Sequence, residues 1–180
     1  REKHLPVSDA IRLAREIANG LGHAHRHGVV HRDIKPENVL LSDGLALVCD
    51  FGIARPIHIN DPRTAAPGEV VGTPLYMAPE LITGGSDADA TTDLYALGCL
   101  LYEMLAGEPP FLGPTLDRLV HQHLSVEPSP VTDLRPEVPS GVVAVLAKAL
   151  AKKREDRFPT AARFAEALAV ATFETLLPVR

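Results

Sequence analysis

Asn38 and Asp50, two oxygen ligands suited to a metal ion, and Asp33, a candidate base with Lys35 nearby, are the residues of this sequence whose types and spacing could do chemistry. Asp33, Lys35 and Asn38 stand in the run His31-Arg32-Asp33-Ile34-Lys35-Pro36-Glu37-Asn38, and Asp50-Phe51-Gly52 begins twelve residues after Asn38. A carboxylate beside an amide carbonyl suits a hard cation such as Mg²⁺, which keeps waters and shares substrate phosphates. Asp33 is a candidate base. Taken one at a time, Asp33, Asn38 and Asp50 also fit turn and cap positions, which Asp and Asn routinely fill. Grouped beside Lys35, they point to chemistry.

The segment between Asn38 and Asp50 must bring them together. Val39-Leu40-Leu41 and Leu45-Ala46-Leu47-Val48 read as two apolar strands around Ser42-Asp43-Gly44, and an antiparallel hairpin closes its open ends on each other. Before it, Ile11, Ala14, Ile17, Ala18 and Leu21 make a helical stripe from Ser8 to His27, with Ser8 as N-cap and Gly28 as the stop. After it, Ile53 to Val71 carries three prolines and no sustained period, a long loop of the kind that is usually functional. Thr91 or Thr92 caps a very apolar helix through Leu94, Leu97, Leu101 and Met104, ended by Gly107. Such a helix is buried on most sides and acts as an axle. Further helices follow at Pro114–Leu124, from Ser140 (Val142, Val145, Leu146, Ala149, Leu150) and from Thr160 (Phe164, Leu168, Ala171), with a proline-punctuated connector over Ser125–Pro139. The expected fold is mainly α with one small β-hairpin.

Bulk properties narrow the partners. The 180 residues are 46% hydrophobic and 23% charged, enough for one domain with a proper core. A net charge of −5 offers no basic footprint for nucleic acid. No apolar run reaches the roughly 20 residues of a membrane span. Two cysteines, Cys49 and Cys99, are too few for a disulfide framework and fit a reducing cytosol; Cys49 reads as a small buried apolar residue. His23, His25, His27 and His31 suggest a metal site. Helical residues two apart, however, point about 200° from each other, so only His23 and His27 share a face and nothing completes a ligand set.

His31-Arg32-Asp33 with Asn38, then Asp50-Phe51-Gly52, then Ala78-Pro79-Glu80 resemble in order the catalytic-loop, metal-loop and P+1-loop signatures of eukaryotic-like protein kinases. Gly72-Thr73-Pro74-Leu75-Tyr76-Met77 and Asp93-Leu94-Tyr95-Ala96-Leu97-Gly98 give the resemblance the flavour of the bacterial Ser/Thr kinases. It implies a kinase domain's C-terminal lobe over residues 1–180. Within that, the catalytic loop is 31–38, the metal loop 50–52, the activation segment 50–80 and the helical subdomain 91–175. It implies ATP and Mg²⁺ as cofactors and protein Ser/Thr hydroxyls as acceptors.

The same resemblance assigns roles. Asp33 is the base, Lys35 faces the transferring γ-phosphate, and Thr73 bonds back to both. Asn38 and Asp50 hold Mg²⁺, and Leu40 floors the adenine ring. Glu37 meets a basic substrate side chain. His31 and Phe51, with Gly52 after them, belong to a stacked spine whose foot is Asp93. Glu80 pairs with Arg157 to lock the P+1 loop. Arg32 implies activation by a loop phosphate, for which Thr64 is the candidate between Ile53 and Gly72.

The sequence opens just before the first long helix of that lobe. The Gly-rich loop, strand Lys and helix Glu of the smaller lobe are not in it. The chain therefore reads as a piece of a longer, cytoplasmic polypeptide, inactive alone, whose natural partner is its own N-lobe. The rival is a non-catalytic, pseudokinase-like interaction module docking partners through Pro114–Leu124 and the P+1 surface. A small-molecule phosphotransferase fits less well, because the Gly72–Glu80 peptide platform is present.

Overall fold

The computed structural model describes residues 4–51, 74–84 and 88–173. Beside three single-turn 3₁₀ helices, the regular structure of these residues is six α-helices and one two-stranded sheet: α1 Val7–Arg26, β1 Val39–Ser42, β2 Leu45–Val48, α2 Pro79–Ile82, α3 Ala90–Ala106, α4 Leu116–Ser125, α5 Ser140–Ala149 and α6 Ala161–Phe173. The fold of these residues is mainly helical with a single hairpin, as the sequence leads one to expect.

α3 is the axle. Twelve of its seventeen residues are buried, Leu94, Tyr95, Leu97, Cys99 and Leu101 completely. α1 and α5 pack against it, and α6 packs across α1 and α5. Close approach demands a residue without a side chain at Gly98, where an added Cβ would meet the Ala149 Cβ at 2.9 Å. Burial at ~25 cal/mol per Å² of apolar surface makes this helical core the main source of stability.

Helix starts differ from the sequence expectation at four N-termini. α1 starts at Val7 with Pro6 as N-cap, and the Pro6 carbonyl takes the amides of Asp9 and Ala10, both at 3.0 Å. Ser8 is therefore inside the first turn rather than its cap. α3 is capped by Asp89 rather than by Thr91 or Thr92. The Asp89 carboxylate accepts the Thr91 amide at 2.8 Å, and the Asp89 amide donates in turn to the Thr92 hydroxyl at 3.2 Å, a capping box. α5 takes Pro139 as N-cap, without a side-chain bond, in place of Ser140. α4 begins at Leu116 behind a Thr115 cap, two residues later than its expected start.

The C-terminus of α1 is where the fold aims the chain at the site. Gly28 takes φ +74°, its amide reaches the His25 carbonyl at 3.0 Å, and the Val29 amide reaches Ala24 at 3.0 Å. This is a Schellman closure, and it needs the left-handed conformation glycine adopts without strain.

The hairpin that follows has a two-residue turn, Asp43 (φ +51°) and Gly44 (φ +79°), both left-handed as a type I′ turn requires. Its register pairs Val39 with Val48 and Leu40 with Leu47. Two α1 side chains secure the outer edge of β2. Glu16 accepts the Ala46 amide at 2.8 Å, and Arg12 donates to the Gly44 carbonyl at 2.6 Å and to Glu16 at 3.0 Å.

Candidate active site

Asp93 organises the loop that carries Asp33. It lies in the first turn of α3 and is completely buried. One carboxylate oxygen accepts the His31 amide at 2.9 Å and the His25 Nε2 proton at 2.7 Å; the other accepts the Arg32 amide at 2.7 Å. Arg32 holds φ +69°, a strained value for a side chain of its size, and the Asp93 clamp sustains it.

His31 passes this order on. Its Nδ1 accepts the Asp33 amide at 3.3 Å, which leaves the proton on Nε2 to be donated to the Cys49 carbonyl at 2.7 Å. One buried ring thus ties the loop before the hairpin to the strand end after it. Phe51 packs edge-on against the same ring, 4.7 Å between centroids. Asp93, His31 and Phe51 form a continuous column.

Asn38 sits beside Asp33. Its Nδ2 donates to the Asp33 backbone carbonyl at 2.7 Å and to the Asp33 carboxylate at 3.1 Å. Both amide protons are therefore committed, and Oδ1 is the atom with lone pairs to offer a cation. The Lys35 ammonium lies 2.7 Å from the same Asp33 carboxylate oxygen. Across the hairpin, the Cys49 amide donates to the Asn38 carbonyl at 3.0 Å, which places Asp50 one residue beyond a bonded pair. Asp50 is exposed and left-handed, φ +62°. Its carboxylate lies 3.9 Å from the Cys49 sulfur. Cys49 is partly exposed rather than buried, because it closes the hairpin at the edge of the site.

Other sequence-singled residues are placed as follows. Leu40 is 55% exposed on the outer face of the hairpin with Leu45 and Leu47. Glu37 is exposed. Gly52, Thr64 and Thr73, and the expected loop over 53–71, lie outside the described residues.

The structure brings Glu80 and Arg157 together. Nη1 reaches Oε1 at 2.8 Å and Nη2 reaches Oε2 at 2.9 Å, with the Thr92 hydroxyl on Oε1 at 2.9 Å. The remaining Arg157 donors go to the carbonyls of Ala151, Thr91 and Lys152. Burial works to raise the Glu80 carboxyl, but the Arg157 hydrogen bonds and charge outweigh it and hold it below the usual carboxylate range.

Two site neighbours escaped the sequence reading. His25 stood out in the sequence only as a histidine off the face shared by His23 and His27, yet it faces α3 and bonds Asp93. His23 and His27 instead stack on each other at 4.6 Å. The available signal was the two-residue offset of His25 from that pair, which turns it to the opposite side of α1. The second is Tyr76, whose hydroxyl donates to Glu103 on α3. Burial and that carboxylate push the hydroxyl far above its ordinary value.

An apolar helical lobe with these groups at one end defines a class, the kinase C-lobe. A solved structure of Rad53 residues 1–466 in complex with AMP-PNP matches it with a TM-score of 0.73 at 27% identity, covering 91% of this chain and 40% of that one. Residues 1–168 match the protein kinase domain family, to which the chain belongs. Among its relatives, the serine/threonine-protein kinase PknB of Mycobacterium leprae is 41% identical over 161 residues, 88% of this chain and 25% of that protein. The PknB of Mycolicibacterium smegmatis is 40% identical over 85% of this chain and 24% of that protein. A probable PknB of Bifidobacterium longum is 41% identical over 82% and 21% respectively. The chain thus spans about a quarter of the length of these curated relatives. None of its described helices is long and apolar enough to cross a membrane.

Proposed function

We propose that this chain is the large-lobe part of a serine/threonine protein kinase that moves the γ-phosphoryl group of ATP to a protein hydroxyl. The observation that carries the reading is the convergence on one carboxylate. Asn38 Nδ2 and Lys35 Nζ both reach the Asp33 side chain, at 3.1 and 2.7 Å.

Phosphoryl transfer needs positioning and charge compensation more than covalent help. Asp33 is the group that orients the acceptor hydroxyl and takes its proton. Asn38 holds that carboxylate in place, and Asp93 and His31 fix the backbone that presents it. Lys35 supplies a cation within reach of both the base and an incoming phosphate. Thr73 bonds to Asp33 and Lys35 in this reading, and Arg32 receives a phosphate on Thr64.

The donor set fits a divalent cation. Asn38 Oδ1 and the Asp50 carboxylate are hard oxygen ligands on facing ends of the hairpin, the sparse protein contribution that Mg²⁺ favours. Among the described residues no group of three or more His, Cys, Asp and Glu side chains is placed to hold a metal ion by itself. Bound there, Mg²⁺ would neutralise charge on the nucleotide phosphates. Leu40, on the outer face of the hairpin, forms the floor for the adenine ring. Tyr76 and Glu103 support the platform on which a substrate peptide lies, beside Glu37.

The test is transfer of labelled γ-phosphate by the full-length protein, with Asp33→Asn and Asp50→Asn as controls. Loss of label in both variants is expected; label persisting in the variants would undo the roles given to Asp33 and Asp50, and no label from the unaltered protein would favour a docking module. The exposed Leu40, Leu45 and Leu47 face is the feature such a module would use.

A further inference from the structure

The end of α1 carries a second group of side chains suited to an ion, on the side of the helix opposite His25. His23 and His27 stand one turn apart, their ring centroids separated by 4.6 Å and their planes tilted by 39°. Both are exposed. His27 is the C-cap of α1, and its φ of −98° and ψ of 13° stay near enough to helical to keep the pair on one face.

The His27 ring is held in one tautomer. In a continuing helix the His27 amide would bond the His23 carbonyl; here it bonds Ala24 at 2.9 Å, and His27 Nδ1 meets the His23 carbonyl instead, also at 2.9 Å. A carbonyl only accepts, so the neutral ring carries its proton on Nδ1 and keeps the lone pair on Nε2. Metal-ligating histidines are oriented in this way, the second ring nitrogen donating to a backbone oxygen. Among the described residues the His23 ring takes no hydrogen bond, which leaves it open to a ligand bond. The spacing fits as well. Two imidazoles on one ion, with bonds of about 2.0–2.1 Å and an angle between square and tetrahedral, hold their centroids about 4.5–5.2 Å apart. The observed 4.6 Å lies inside that range. The negative end of the α1 dipole adds attraction for a cation.

We propose that His23 and His27 form a chelating site for a borderline divalent transition ion, Zn²⁺ above all, with water in the remaining coordination positions. Imidazole nitrogen selects such ions over Mg²⁺, which prefers oxygen. The site is thus chemically separate from Asn38 and Asp50, and the inference is independent of the phosphotransfer reading. An ion spanning this turn ties the last residues of α1 together just before Gly28, where the chain leaves for residues 31–33.

The experiment is a calorimetric titration of the full-length protein with Zn²⁺, without nucleotide and with Mg²⁺ in excess, beside His23→Ala, His27→Ala and the double variant. Both positions are exposed, so the metal-free variants should unfold at the wild-type temperature, which a melt in chelator checks. Each single substitution is expected to weaken one equivalent of Zn²⁺ by about tenfold or more, because a two-point grip becomes a single contact. The double variant should lose little beyond either single one. Cu²⁺ bound in place of Zn²⁺ should show two nitrogen donors by electron paramagnetic resonance, and one in each single variant. Variants that titrate like wild type, a loss confined to one of the two histidines, losses that add as independent sites, or displacement by Mg²⁺ would overturn the proposal.

Discussion

Glu80 and Arg157, seventy-seven residues apart, meet in a two-pronged ion pair with both N–O contacts under 3 Å. The guanidinium is fully buried and the carboxylate nearly so. Replacing either partner strands a charge in a dry site. Glu80→Ala or Arg157→Ala is expected to cost about 3–5 kcal/mol of unfolding free energy, measured by urea titration. The double variant should fall well short of the sum, since neither charge is then left alone. Additive losses would show that the pair is not a unit.

Asp93 anchors two consecutive loop amides. Asp93→Ala leaves the His31 and Arg32 N–H groups without their acceptors, at about 1–3 kcal/mol for each buried donor. Hydrogen exchange is the direct readout. Those two amides should exchange far faster in the variant, while the α5 and α6 amides stay protected; an unchanged rate at residues 31 and 32 would remove Asp93 from its positioning role.

His123 makes stability depend on acid. Burial, reinforced by the charge of Lys152, lowers its imidazole to about 4, against an unfolded value near 6.5. The unfolded chain therefore takes up a proton first as the pH falls. The stabilising effect of a neutral His123 is complete above about pH 6.5 and is lost down to about pH 4, an order of 3 kcal/mol in all. Subtracting the pH profile of a His123→Phe variant from wild type isolates this contribution from that of the carboxylates. A flat difference curve between those limits would contradict it.

The two thiols should separate cleanly. Cys99 is completely buried on α3, and burial raises its thiol far above the ordinary value; Cys49 is partly exposed at the end of β2. A thiol-selective reagent is expected to label one cysteine in the native protein and the second only after denaturation. Two rapid labels in native conditions would mean that the α3 core opens readily.

Much of this architecture is legible in the residues. The hairpin can be placed because two apolar runs flank Asp43-Gly44, and the α3 axle because its apolar residues leave no polar stripe. The stripes of α5 and α6 follow the same logic, with Val142, Val145, Phe164 and Leu168 all buried. Helix starts were misjudged where a proline or aspartate one to three residues upstream outcompeted a nearby Ser or Thr for the same amides. The ordered motifs pointed to the family, but not to the contacts that hold them. His25 on Asp93, Glu16 on Ala46 and Tyr76 on Glu103 join positions 27 to 68 residues apart. Local pattern carries no information about which distant acceptor a side chain will reach.

The central claim is that residues 38 and 50 address one divalent ion while Asp33 faces the acceptor. A crystal structure of the full-length protein with Mn²⁺ and a non-hydrolysable ATP analogue tests it through the anomalous signal of the metal. The account predicts a peak at roughly 2.0–2.3 Å from both Asn38 Oδ1 and an Asp50 oxygen, distances typical of hard cations of this size. A metal bound elsewhere on the nucleotide, with the Asp50 carboxylate turned from Asn38, would contradict it.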